Sequence, residues 1–149
     1  MITFLKTNYQ NDDFKHLVKA LDADLSVKDG DEHDFYHQFN GIEGLQQVIL
    51  VYNLKQPVGC GAFKPIDSTT VEIKRMFVLP EFQGKGIGSK ILKELEVWAS
   101  ALNYKTGILE TGIRQPDAIA LYTKNNYEII PNYGQYKGVD NSVCFKKKL

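Results

Sequence analysis

VEIKRMFVLPEFQGKGIGS, from Val71 to Ser89, decides how the chain folds. Its first part, Val71 to Leu79, is rich in β-branched and apolar side chains and predicts a strand. Pro80 ends that strand, because proline has no backbone N–H for a ladder. Gln83-Gly84-Lys85-Gly86-Ile87-Gly88 is a glycine-rich turn. Beyond it Ile91, Leu92, Leu95, Trp98, Ala99 and Leu102 recur at helical spacing, which predicts an amphipathic helix. A strand that turns through glycines into a helix makes an anion site. The first-turn N–H groups lack intrahelical partners, the helix dipole adds positive charge, and glycine lets a phosphate approach the backbone. The alternative is an ordinary tight turn between strand and helix. Three glycines in five residues, beside Gln83 and Lys85, favour a phosphate-bearing ligand.

Spacing narrows the ligand. A P-loop needs Gly-Lys-Ser/Thr, which does not occur here, and a dinucleotide fingerprint would need glycine at Ser89. The run V-x-P-x-x-Q-G-x-G-I-G, from Val78 to Gly88, resembles the acetyl-CoA-binding signature of the GNAT superfamily of N-acetyltransferases. Gln83, Gly86 and Gly88 fill the signature's core, Q/R-x-x-G-x-G/A, and the resemblance extends from about Gln47 to Tyr127.

Working outward, Ile2 to Lys6 reads as a strand and Asn11 to Asp24 as a helix with Phe14, Leu17, Val18, Leu21 and Leu25 on one side. Asp31 to Phe39 reads as a short second helix. It carries His33 and His37, four apart among acids, a spacing able to hold a metal but read here as a solvated polar face; no metal is expected. Gln46 to Leu54 and Val58 to Lys64 read as a hairpin turning at Lys55 to Pro57. Gly59 and Gly61 allow a close approach of another element. Ile108 to Gly112 is a short strand, Pro116 to Asn125 a helix, Tyr127 to Ile130 a strand and Ser142 to Lys148 the last strand. Asn126 sits where a helix-ending residue in left-handed geometry is expected. This order predicts an α+β class, a mixed α/β sandwich with helices on both faces of one sheet of about seven strands. The resemblance implies the same: the GNAT-like acyl-CoA N-acyltransferase fold, its central sheet mostly antiparallel. In that fold the strands on either side of the glycine-turn helix, here Val71 to Leu79 and Ile108 to Gly112, splay apart.

Composition sets the bounds. The chain has 149 residues, 43% hydrophobic and 24% charged, with 18 basic and 18 acidic side chains. This is one globular domain, 1–149, without the basic surface that nucleic acid or an acidic membrane would need. No apolar run is long enough to span a bilayer and the N-terminus lacks a signal pattern, so the cytoplasm is the expected compartment. Cys60 and Cys144 have no metal-ligand spacing and read as buried thiols.

Acetyl transfer to an amine needs a base for the amine, donors for the developing oxyanion and an acid for the departing thiolate. The resemblance implies Tyr122, in A-x-x-L-Y, as the acid. It implies Glu72 as the base, acting directly or through water. Glu110, a carboxylate in the apolar strand around it, is the rival base. Backbone N–H groups around Met76, Phe77 and Val78 are implied as oxyanion donors. The phosphate contacts would be the N–H groups of Gln83, Gly84, Lys85, Gly86, Ile87, Gly88 and Ser89, with Lys85 and Ser89 helping through their side chains. Among the chain's cations only Arg75 and Arg114 are arginine, against sixteen lysines. Arginine suits a carboxylate. The expectation is therefore an N-acetyltransferase using acetyl-CoA as co-substrate on a small amine, such as an amino acid or related metabolite. Acetylation of a protein or peptide amine, and a non-catalytic acyl-CoA-binding module, are the competing readings. Tyr133 and Tyr136 give the pocket an aromatic rim or cover a sheet edge. A homodimer is left open.

Overall fold

The structure is a computed structural model that describes residues 1–29 and 41–149. The short helix expected at 31–39, with His33 and His37, lies outside the described residues. The elements run β1 (Ile2–Thr7), α1 (Asp12–Asp29), β2 (Gln47–Asn53), β3 (Gln56–Pro65), β4 (Thr70–Val78), α2 (Ile87–Ala101), β5 (Thr106–Gly112), α3 (Pro116–Lys124), β6 (Glu128–Ile130) and β7 (Ser142–Lys148). The seven strands of the described residues form one sheet in the order β1-β2-β3-β4-β5-β7-β6. Among the described residues only β4 and β5 pair in parallel; the other neighbours are antiparallel. Among the described residues no helix is long and apolar enough to cross a membrane.

Each face of the sheet carries its own core. On one side α2 and α3 cover Ile49, Phe63, Val71, Ile73, Leu109 and Phe145. On the other, α1 lays Phe14, Leu17, Val18 and Leu21 over Val48, Leu50, Cys60 and Ala62. The side chain of Asn11 caps α1 at Asp13 and Phe14, at 2.9 and 3.2 Å. The helix passes the expected stop at Asp24 and ends at Asp29. The expected turn before Val58 is tighter than read: Leu54 takes φ 57°, and Gln56 and Pro57 already pair with β2. Asn126 takes φ 72°, the left-handed geometry that stops α3.

Two departures from regular pairing shape the middle of the sheet. First, β4 and β5 pair only at Thr70–Thr106, Val71–Gly107 and Glu72–Ile108, so the strands part after Glu72, as the fold requires. Second, β4 bulges. Cys60 pairs with Phe77 and Ala62 with Lys74, so Arg75 and Met76 together oppose Gly61. Arg75 takes φ 59°, and its carbonyl accepts the buried thiol of Cys60 at 3.3 Å. The extra residue resets the alternation. Val71, Ile73, Met76 and Val78 pack toward α2, whereas Arg75 and Phe77 turn toward α1. The approach expected at Gly61 is real. A Cβ there would lie 2.6 Å from Met76 Sδ and 2.8 Å from Ile91 Cγ2.

Candidate active site

Where β4 and β5 part, the sheet opens into a cleft of about 100 Å³. Glu72, Lys74, Arg75, Glu110, Tyr122 and Tyr136 line it, with Leu21 and Leu25 of α1 above. Strand periodicity explains the charged floor. Glu72 and Lys74 stand two apart on β4 and share a face. Glu110 pairs across the sheet with Cys144 of β7, which packs against Tyr136.

Glu72 is 3% exposed. Tyr133 donates its hydroxyl to Oε2 at 2.5 Å and Lys74 donates Nζ to Oε1 at 3.4 Å, while the half-exposed Lys64 stands at 3.9 Å. Burial pulls the Lys74 ammonium below the ordinary lysine range, and the neighbouring Glu72 charge opposes that fall. Burial raises the Tyr133 phenol, and the charge and hydrogen bond of Glu72 raise it further. Tyr133 and Tyr136 meet edge to face at 5.8 Å. Tyr136, 2% exposed, is an interior wall of the cleft, and the half-buried Tyr133 packs on it outside the lining.

Tyr122 comes from α3 and closes the cleft from the other face, packed against Tyr127 and Phe145. Burial first, and the Glu110 charge second, push its phenol well above the usual range, so it holds its proton. The cleft thus brings together Tyr122, Glu72, Glu110 and Arg75. Arg75 is already engaged: Nη1 donates to Asp22 Oδ1 of α1 at 2.8 Å. Arg114 is exposed on the loop after β5, and its neighbours Gly112 and Gln115 line the cleft in its place.

Beyond β4, Pro80–Phe82 forms a single 3-10 turn, and Gln83 folds its side chain back to donate to the Val78 carbonyl at 2.9 Å. Gly84 and Gly86 take φ 75° and 80°. Gly86 is the N-cap of α2 and no side chain caps the helix. A Cβ on Gly84 or Gly86 would meet nothing within 4 Å. Open space beside both glycines and an α2 first turn without a side-chain cap are a fit for the phosphates of acetyl-CoA. Lys85 lies over the Phe82 ring at 5.3 Å. Ser89 Oγ accepts from Asn125 Nδ2 at 3.0 Å, which ties the turn to the end of the Tyr122 helix. Met76, Phe77 and Val78 span the bulge and the strand end between this turn and the charged floor.

Lys74, Asp22, Thr111, Gln115 and Asn125 escaped the sequence reading. The period-two spacing of Glu72 and Lys74 was a visible signal for one of them. The others depend on tertiary contacts. Among the described residues no group of three or more His, Cys, Asp and Glu side chains is placed to hold a metal ion.

Comparison with known proteins agrees with this architecture. The sequence profile of the acetyltransferase (GNAT) family matches residues 14–127. The chain is 38% identical over 92 residues to an IAA acetyltransferase of Azospirillum brasilense, a match that spans 61% of this chain and 60% of that protein. The crystal structure of a Klebsiella pneumoniae protein assigned as an acyl-CoA N-acyltransferase superposes with a TM-score of 0.84 at 29% identity, covering 100% of this chain and 98% of the other. A GNAT acetyltransferase of Elizabethkingia anophelis, solved with acetyl-CoA bound, shares the fold with a TM-score of 0.69 at 22% identity, covering 99% and 98%. A chain with this profile match, this sheet and this glycine turn belongs to the GNAT family of acetyltransferases.

Proposed function

We propose that the chain is an acetyl-CoA-dependent N-acetyltransferase, a single domain over 1–149, acting on the primary amine of a small molecule by direct attack within a ternary complex. The observation that carries this reading is the parting of β4 from β5 after Glu72, which sets Glu72, Glu110 and Tyr122 around one cleft.

In this reading the α2 first turn, from Gln83 to Ser89, holds the phosphates of the donor through backbone N–H groups, and the Ser89 hydroxyl keeps its own proton for a phosphate oxygen while it accepts from Asn125. Backbone N–H groups at Met76–Val78 stabilise the oxyanion. Glu72 takes the proton of the acceptor amine, directly or through water. Its position supports that role over Glu110, because Tyr133 and Lys74 fix both of its oxygens. Tyr122 keeps a proton at neutral pH and delivers it as the C–S bond breaks. A carboxylate on the acceptor would be met by Arg75, the one arginine on the cleft wall among the described residues, with Arg114 standing outside it.

The test is thiol release from acetyl-CoA across a panel of amines in which each amino acid stands beside its decarboxylated analogue, run with Tyr122→Phe in parallel. We expect turnover on one amine class and a fall of about 100-fold in kcat for the variant. An amino acid that outpaces its decarboxylated analogue supports the role of Arg75; equal kcat/KM removes it. No release with any amine would overturn the activity.

A further inference from the structure

Lys74 is the one buried lysine among the described residues, 8% exposed. Lysine is almost never buried unless paired, and its partner here is the candidate base: Nζ lies 3.4 Å from Glu72 Oε1. An acceptor amine would have to make that same contact. Lys74 also stands two residues beyond the last β4–β5 pair, where the strands have parted. Along β4, Glu72, Lys74 and Met76–Val78 follow in order as proton acceptor, amine and oxyanion donors. Glu110 and Tyr122 line the same cleft. An amine in an acetyl-transfer site beside a proton acceptor has what the reaction asks of its substrate.

We propose that Lys74 is a self-acetylation site, its amine taking the acetyl group of acetyl-CoA when no acceptor fills the cleft. The inference rests on the N-acetyltransferase reading. The Lys74 ammonium gives one proton to the Glu72 carboxylate and becomes a neutral amine. Its nitrogen forms a bond to the thioester carbonyl carbon and the C–S bond breaks. The sulfur leaves with a proton from Tyr122, which is replaced by the second proton shed at the nitrogen. The products are Nε-acetyl-Lys74, free CoA thiol and one proton released from Glu72 to solvent. Burial that destabilises the ammonium favours the first step. The acetamide then occupies the place where an acceptor amine would meet Glu72, so modified chains turn over acceptor slowly.

The experiment incubates the purified chain with acetyl-CoA and no amine, follows intact mass and maps acetylated peptides. We expect one acetyl group per chain, on Lys74, formed at least about tenfold faster than on any exposed lysine. Tyr122→Phe should slow it about 100-fold while exposed lysines react as before. Lys74→Arg should abolish both the mass increment and the matching burst of CoA thiol, and a turned-over amine should protect Lys74. Acetyl phosphate, which modifies accessible lysines without a binding site, should spare Lys74. If Lys74 stays unmodified in chains that bind acetyl-CoA and turn over an amine, the self-acetylation is overturned and the acetyltransferase reading stands. Equal labelling of Lys74 by acetyl phosphate overturns it as well. Chains that neither bind acetyl-CoA nor turn over any amine remove both. The wild-type peptide map decides the matter even if Lys74→Arg fails to fold.

Discussion

The glycine turn and the cleft floor lie at the two ends of one stretch of chain, yet they are made of different material. The turn is exposed backbone. Gly84 and Gly86 set its path, no side chain caps α2, and its donors come from consecutive residues. The floor is buried side chain. Glu72, Lys74 and Arg75 are 3%, 8% and 7% exposed; Lys74 pairs with Glu72 on the same strand, and the other holds come from elsewhere: Glu72 by Tyr133, Arg75 by Asp22 of α1, and the Arg75 carbonyl by Cys60 of β3. A site of local backbone can be altered by one residue without disturbing the sheet. A site assembled from four elements answers to changes anywhere in the packing that holds them.

Gly61→Val should give the largest effect and strike the floor from a distance. The new side chain would begin with contacts of 2.6, 2.8 and 2.9 Å to Met76, Ile91 and Leu95. Overpacking of this kind costs about 3 kcal/mol, read as a lower urea midpoint. Met76 is half of the bulge, so relief of the clash moves the bulge and, with it, the backbone N–H groups proposed to hold the oxyanion. Thiol release should fall even in chains that remain folded. A Gly61→Val chain as stable and active as the wild type would erase the distinction between a packed floor and a local turn.

Gly86→Ala should do the opposite. There is room for the methyl group, so the cost lies in the backbone, about 1–2 kcal/mol for a left-handed residue with a Cβ. That strain falls in the turn proposed to hold the phosphates. The expected result is a KM for acetyl-CoA about tenfold higher, with kcat falling less and the unfolding midpoint moving slightly. A drop in kcat at unchanged KM would mean that the turn and the floor act as one unit.

The same contrast explains what could be read from the chain. The turn was legible because its chemistry is local: glycines at fixed spacing, a proline before them and a helical stripe after them. Asn126 was legible for the same reason, since left-handed geometry at a helix end is a property of one residue. The splay of β4 and β5 followed from the family resemblance, which carries the topology. The bulge residue was not legible, because it depends on Gly61 across the ladder and on the thiol of Cys60. Nor were the partners of the floor. Asp22 reaches Arg75 from 53 positions away and Tyr133 reaches Glu72 from 61. Helical spacing also mistook one edge of α2. Leu102, in the apolar stripe, is 46% exposed, while Glu96 is buried and accepts hydrogen bonds from Tyr127 and Lys147, both at 2.9 Å. Hydrophobic periodicity has no means of marking a carboxylate that is buried because two donors await it.

The smallest effect at neutral pH should come from Cys60→Ala, and its pH dependence tests how firmly the floor is held. Cys60 is fully buried and its thiol donates to the Arg75 carbonyl. Losing that weak bond and the sulfur's packing should cost about 1 kcal/mol. Burial pushes the thiol from 9.0 to about 12, the Arg75 charge opposing the rise. Between those values the unfolded chain gives up a proton that the folded chain keeps. The group's contribution to stability is therefore complete below pH 9 and is lost as pH rises toward 12. Alanine has no such proton. The buried tyrosines titrate in both chains and cancel in the difference. The gap in urea midpoint between wild type and Cys60→Ala should hold steady up to pH 9, then narrow, and reverse before pH 12. A gap that stays constant across that window would mean that the thiol ionises freely in the folded chain. Solvent would then reach the bulge carbonyl, and the floor would be as open as the turn.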